Sequence, residues 1–357
     1  MKLTGIDYIE LFVANLPQAV QSFCDGLGFQ VVGEAGPQAC EGRRHSRVLQ
    51  QGGIRLAISA PLHPADEAAA YVELHGDGIR DIALRVQDAA EAFHEAVQRG
   101  ARPIQEPVCS EGPEGRLIRA VVGSPVGDVV HSLIQRDAPD SQFWPGRYLM
   151  QDGVRHAPSS MMADVDHLAI CVMPGSLGPC VEFYQRVFGL HQSHEENVET
   201  ASSGMNSRVV QDATGKVCLV LLEPMAGKKP GQLDRFLADH RGPGVQHLAF
   251  RSDDILSAVS YMRQHHVPLL ESPPGYYERL PQRVKLEDLG ESLRQLREGC
   301  VLVDHEGSGY LLQVFTRSTH QRRTLFFEIT QRREARGFGA ANIRALYEAV
   351  EQELGHA

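Results

Sequence analysis

The sequence predicts an α+β fold in which one architecture occurs twice in tandem, each half built of βαβββ units curved into an open barrel, with a helix at the C-terminus. Three observations predict it. The length, 357 residues, exceeds the usual single-domain size. Short apolar stretches recur in the same order in both halves, and a repeat of this kind governs the whole fold assignment. Period-2 alternation fills the intervals between them.

In chain order, Ile6-Asp-Tyr-Ile-Glu-Leu-Phe-Val13 parallels Val165-Asp-His-Leu-Ala-Ile-Cys-Val172. A helical pattern closed by glycine follows each, over 16–29 and 177–190, with proline near the start as helix punctuation requires. Alternating strands come next at 46–51, 55–59 and 216–222. Gly76 to Val86 then parallels Gly242 to Ser252, and a second helix follows in both, Asp88 to Arg99 and Asp253 to His265. Val130 to Arg136 parallels Phe326 to Arg332. These boundaries divide the chain into a first half (1–136), a linker (137–163) and a second half (164–357). The linker carries three prolines, two glycines and the only tryptophan, Trp144, and is expected to pack on one half or both. Leu280 to Gly299, an insertion the first half lacks, is charged and amphipathic and predicts a surface helix. At the end, Ile343, Leu346, Tyr347, Val350 and Leu354 recur at helical spacing, so a C-terminal helix buries one face.

Composition excludes several classes. The net charge of −10 is spread along the chain without a basic stripe, which argues against nucleic acid. No apolar run reaches membrane-spanning length, and the start has no signal-peptide core, so a cytoplasmic protein is expected. Seven cysteines form no C-x-x-C pair, which points to reduced thiols instead of a disulfide framework or structural zinc.

One carboxylate, Glu328, stands in the apolar strand Thr324 to Thr330. A buried acid needs a partner, because an unpaired buried charge costs several kcal/mol. His167 and His247 each occupy a similar apolar strand. Two imidazoles and one carboxylate leave coordination positions open, the set that suits non-haem Fe(II) oxygen chemistry. In the repeat alignment their counterparts are Tyr8, Asp81 and Ser132, which cannot make a comparable site. One working metal cup beside one structural copy is the expectation.

The duplicated modules resemble the vicinal-oxygen-chelate superfamily, and nearly the whole chain resembles its 4-hydroxyphenylpyruvate-consuming dioxygenases. The motifs that carry the resemblance are Val165-Asp-His167, Gly244-Val-Gln-His247, Leu311-Leu-Gln-Val-Phe-Thr316, Phe326-Phe-Glu328 and Gly337-Phe-Gly-Ala-Ala-Asn342. The resemblance implies Fe(II) on His167, His247 and Glu328, with 4-hydroxyphenylpyruvate and O2 as substrates. It places Ser207, Gln232, Gln313 and Asn342 near the substrate's polar groups, with Phe326 and Phe338, beside Phe315, holding its ring. A homodimer is expected.

Two branches of the family share that substrate and part at the product. Where the ring-hydroxylating, homogentisate-forming branch has asparagine and phenylalanine, this chain has Leu222, in Val220-Leu-Leu-Glu-Pro224, and Ile343. These departures resemble the branch that forms 4-hydroxymandelate, so Val220, Leu222 and Ile343 are the expected product-determining positions. Three rivals remain. A non-catalytic binding module needs no metal trio, an extradiol dioxygenase needs an acid–base histidine for which His240 is a guess, and a glyoxalase-like isomerase needs no C-terminal lid.

Overall fold

The computed structural model describes residues 1–40, 42–112, 115–138, 143–151, 161–199, 203–272, 274–306, 309–318, 320 and 322–344. The first sheet contains β1 (Leu3–Phe12), β2 (Gln30–Ala35), β3 (Arg44–Gln51), β4 (Ile54–Pro61), β5 (Gly78–Val86), β6 (Pro103–Gly112), β7 (Gly115–Gly123), β8 (Val130–Arg136) and the short β9 (Leu149–Met150). The second contains β10 (Asp164–Cys171), β11 (His191–Glu199), β12 (Gly204–Gln211), β13 (Cys218–Pro224), β14 (Gly244–Arg251), β15 (Leu302–Glu306), β16 (Gly309–Phe315) and β17 (Phe326–Arg333). Their orders match strand for strand: β6-β7-β8-β5-β1-β4-β3-β2 in one, β15-β16-β17-β14-β10-β13-β12-β11 in the other. Each half is therefore two βαβββ modules joined along one antiparallel pair, β1 with β5 and β10 with β14. The duplication and the curved α+β class stand as the sequence predicts.

The helices cross between strands as the punctuation requires. Asp88 caps α3 (Ala89–Gln98) by accepting from Glu91 N, and Asp254 caps α6 (Ile255–Gln264) by accepting from Ser257 N. The first crossing in the first half is α1 (Leu16–Gln21), which widens into a π turn at Ser22–Gly26. Its counterpart α4 (Leu177–Phe188) stays regular until Gly189, left-handed at φ 70°, ends it. The halves pack through these crossings: Phe23 meets Phe327 at 5.1 Å, and His131 meets the Tyr184 hydroxyl at 3.1 Å and the Phe188 ring at 5.1 Å.

A matched pair of helices has no counterpart in the sequence, α2 (Glu67–His75) and the equivalent α5 (Gln232–His240). In α2 the buried Ala68, Tyr71 and His75 are flanked by further alanines, so no contrast between faces reveals the helix. The insertion 280–299 is not one surface helix. It is broken into a 3-10 turn at Leu280–Gln282, another at Leu286–Asp288 and α8 (Leu293–Glu298), after α7 (Pro274–Arg279). Pro281 and Gly290, at φ 79°, interrupt it, and Leu280, Val284, Leu289 and Leu296 are buried. The linker packs on the first half, where Phe143 and Tyr148 are buried edge to face at 4.9 Å and β9 pairs with β2. Residues 340–344 begin the C-terminal helix, and the remainder of that expected helix lies outside the described residues.

Candidate metal centre

Strand register assembles the trio. His167 on β10 pairs with Ala249, two residues beyond His247 on β14, and His247 pairs with Phe326, two residues before Glu328 on β17. Since side chains alternate, all three project from the same concave face. Glu328 Oε2 lies 3.4 Å from His167 Nε2 and 3.3 Å from His247 Nε2, and the three potential ligand atoms lie within 4.8 Å of one another. The other carboxylate oxygen, Oε1, accepts from Gln313 Nε2 at 2.8 Å and Thr330 Oγ1 at 2.7 Å. Neutral donors therefore hold Glu328 by one oxygen and leave the second facing both imidazoles.

The charges fit a cation site. Burial opposes ionisation of Glu328, but His167 first and then His247 hold its pKa well below the usual carboxylate range. Burial also opposes a charged His167, yet Glu328 and Asp166 outweigh it and raise the pKa to about 9. His247, which lacks a carboxylate on its far side, is lowered by burial. Among the described residues this is the group of His, Cys, Asp and Glu that can hold a metal ion. Its donors, two imidazole nitrogens and one carboxylate oxygen meeting at one point, fit a divalent metal with open positions.

Known proteins resemble this chain over nearly its whole length. A family model described as hydroxyphenylpyruvate dioxygenase, N-terminal, matches residues 1–143, and one described as the glyoxalase/bleomycin resistance protein/dioxygenase superfamily matches 164–280. The 4-hydroxyphenylpyruvate dioxygenase of Dictyostelium discoideum is 31% identical over 363 residues, spanning 98% of each chain. That of Yarrowia lipolytica is 31% identical over 366 residues, covering 98% of this chain and 92% of the relative. The chain belongs to the 4-hydroxyphenylpyruvate dioxygenase family. The structure of a triple mutant of 4-hydroxymandelate synthase from Streptomyces coelicolor is also similar, at TM-score 0.89 and 37% identity over 99% of this chain and 100% of the other. This is a dioxygenase family within the vicinal-oxygen-chelate superfamily, as the motifs implied.

Around the trio, the other positions carried over from the dioxygenase family fall in four places. Phe326 stacks on His247 at 4.8 Å and Phe338 stands edge-on to His167 at 5.3 Å, so each aromatic backs one imidazole. Val220, Leu222 and Phe338 share one buried apolar cluster with Met205, Val209 and Phe236, and Ile343 packs against it. Ser207 is buried opposite Leu222, its hydroxyl donating to Glu196 O at 3.2 Å, and Gln232 begins α5, half-buried.

Gln313 and Asn342 belong to a relay running outward from Glu328. Gln313 Nε2 donates to the carboxylate, which turns its oxygen to Asn342 Nδ2 at 2.8 Å and turns Asn342 Oδ1 to the Tyr276 hydroxyl at 2.8 Å. The opposite Asn342 orientation would set its oxygen against Gln313 Oε1, two acceptors face to face. Tyr276 and Thr330 escape the sequence reading, as do Asp166 and Arg332 beside His167. Only Asp166 left a signal, an acid next to a candidate ligand in an apolar strand. In the first half Tyr8, Asp81 and Ser132 do come together, but Tyr8 and Ser132 both hydrogen-bond Asp81, and the Arg119 guanidinium binds Ser132 at 2.9 Å and Asp81 at 3.4 Å. A fixed cation of the protein's own neutralises that cup.

Proposed function

We propose that the protein is an Fe(II)-dependent dioxygenase converting 4-hydroxyphenylpyruvate and O2 to 4-hydroxymandelate and CO2. The observation that carries the product is the apolar cluster beside the trio: Val220, Leu222 and Ile343 are aliphatic and lie together with Phe338, which stands edge-on to His167. His167 Nε2, His247 Nε2 and Glu328 Oε2 would hold the metal, and iron there supplies the redox chemistry between dioxygen and a 2-oxo acid that zinc lacks.

The chain's own residues do the rest. Gln313 and Thr330 orient Glu328, while Phe326 and Phe338 fix the imidazole planes. The apolar lining takes the substrate ring and excludes water from the reacting carbon. Ser207 and Gln232 offer hydrogen bonds at its edge, and Asn342 acts by holding Gln313. Leu222 and Ile343 give the ring no polar anchor and no aromatic face, so its benzylic carbon is the one turned to the metal. The likeness to the mandelate synthase structure, 37% identical over 99% of this chain, supports this branch.

The second reading, homogentisate formation, is favoured by the names of the full-length relatives. Chromatography of the product from 4-hydroxyphenylpyruvate with the Fe(II)-loaded protein decides between them. 4-Hydroxymandelate is expected; homogentisate as main product overturns the product assignment, and no oxygen uptake overturns the substrate.

A further inference from the structure

The same buried ion pair occurs in both halves. In the second, Arg332 donates through Nε and Nη2 to Asp166 at 2.7 and 2.8 Å. In the first, Arg136 donates to the equivalent Asp7 through Nε at 2.9 Å and Nη2 at 2.7 Å. Each guanidinium also lies over a phenylalanine from the segment after its strand, Phe338 at 4.9 Å and Phe143 at 5.8 Å. That ring in turn stands edge-on to the residue following the aspartate, His167 at 5.3 Å and Tyr8 at 5.1 Å. The Asp–Arg–Phe unit is thus a device of the fold itself, present with or without the metal trio.

What differs is the aspartate's other neighbour. Asp7 is shared with a second guanidinium, Arg85 at 3.0 Å, and Tyr8 turns away to Asp81. In the second half the counterpart of Arg85, Arg251, pairs with Asp164 at 2.8 Å instead. Asp166 is left with one guanidinium, and its Oδ1 meets His167 Nδ1 at 2.7 Å. That contact orients the ring and points Nε2 at Glu328. Among the described residues, His247 Nδ1 meets only the Gln246 amide oxygen, at 3.3 Å. Arg332 reaches further, donating to Gly337 O at 2.6 Å just before Phe338.

We infer that Asp166 and Arg332 are positioning residues for the metal centre: a structural ion pair, duplicated with the fold, that in the second half orients His167 and ties that orientation to the docked Phe338 segment. The inference rests on the reading of His167 as a metal ligand. Carboxylates behind ligating histidines typically change metal affinity about 10- to 100-fold. The first half supplies an internal control, since Asp7→Asn breaks the same pair without touching the trio.

The test uses the whole protein stripped of metal and titrated with Co(II), reading affinity and the visible spectrum of bound Co(II), with thermal unfolding measured on the metal-free protein. Asp7→Asn and Asp166→Asn are both expected to lower the unfolding temperature. Only Asp166→Asn is expected to weaken Co(II) binding, by about 10- to 100-fold, and to alter its spectrum. Arg332→Lys, which keeps the charge but loses the bidentate fork, serves if Asp166→Asn does not fold, and should weaken Co(II) about tenfold. Wild-type Co(II) affinity in Asp166→Asn or Arg332→Lys overturns the inference, as does equal weakening in Asp7→Asn. A His167→Ala arm separates the underlying reading: unchanged Co(II) binding there removes the metal site itself.

Discussion

Glu328 shows how one side chain can be held and still be available. Gln313 and Thr330 occupy one oxygen, so the other is presented to the two imidazoles without needing a metal to orient it. Glu328→Gln should therefore lose bound iron and lower turnover by more than about a hundredfold, since even supporting groups around a ligand are worth 10- to 100-fold. Metal analysis alongside oxygen uptake checks this, and full iron occupancy with full activity in the variant sinks the assignment. The fold should survive, because the first cup stands on Tyr8, Asp81, Ser132 and Arg119. Leu222 and Ile343 act more subtly. A difference of about 1.4 kcal/mol between two barriers moves a product ratio tenfold, so reshaping one wall is enough to redirect the reaction. Ile343→Phe combined with Leu222→Asn is expected to divert product toward ring-hydroxylated species; chromatograms indistinguishable from wild type would show these positions to be neutral packing.

Among the elements, the segment from Gly337 to residue 344 matters most for the site. It lays Phe338 against His167, and its helical start is capped by Asp304, which accepts from Ala341 N at 3.1 Å. Gly339 sits at φ 78°, and a Cβ there would lie 2.3 Å from Gln313 Oε1. Gly339→Ala should cost about 1–2 kcal/mol from the left-handed backbone alone and push the segment off Gln313. Removal of the chain from Phe338 onward should do more, uncoupling oxygen consumption from product formation because water enters the cup. Oxygen electrode traces set against product yield measure both; intact coupling after truncation would mean the segment only packs. The first half has the same arrangement in Phe143, which makes the start of the linker the counterpart of this segment.

Across the whole molecule, the halves are joined by a buried stack of His75 on His240 with ring centres 4.2 Å apart. His75 Nδ1 meets His240 O at 2.6 Å and its Nε2 meets Asp128 at 2.9 Å, while His240 Nδ1 meets Gly242 O at 3.0 Å. Burial, then the neighbouring His75, pushes His240 down to about 4. The folded pKa is below the unfolded value of about 6.5, so the unfolded chain binds the extra proton between them. Stability from this site is full above about pH 6.5 and is lost as pH falls through about 4, on the order of 3 kcal/mol. Urea unfolding across that window should show His240→Gln with a shallower loss than wild type, and parallel curves would rule the residue out as the source.

The repeats, the α+β class and the three ligand-type residues were legible in the sequence because duplication writes the same pattern twice and because a lone polar residue in an apolar strand has no other ready explanation. His167, His247 and Glu328 were each conspicuous against their own strands. Helix α2 was not legible, since alanine-rich helices carry little contrast between faces. The broken course of 280–299 was not either, because burial of Leu280, Val284, Leu289 and Leu296 depends on neighbours far away in sequence. Arg332 could be seen as a basic residue ending a strand, but its partner Asp166 lies 166 residues earlier. Only the β10–β14–β17 register brings that pair behind His167. Spacing along a chain determines local structure and marks chemically unusual residues; which oxygen faces which nitrogen is decided by long-range strand pairing, and that exists only once the sheet has closed.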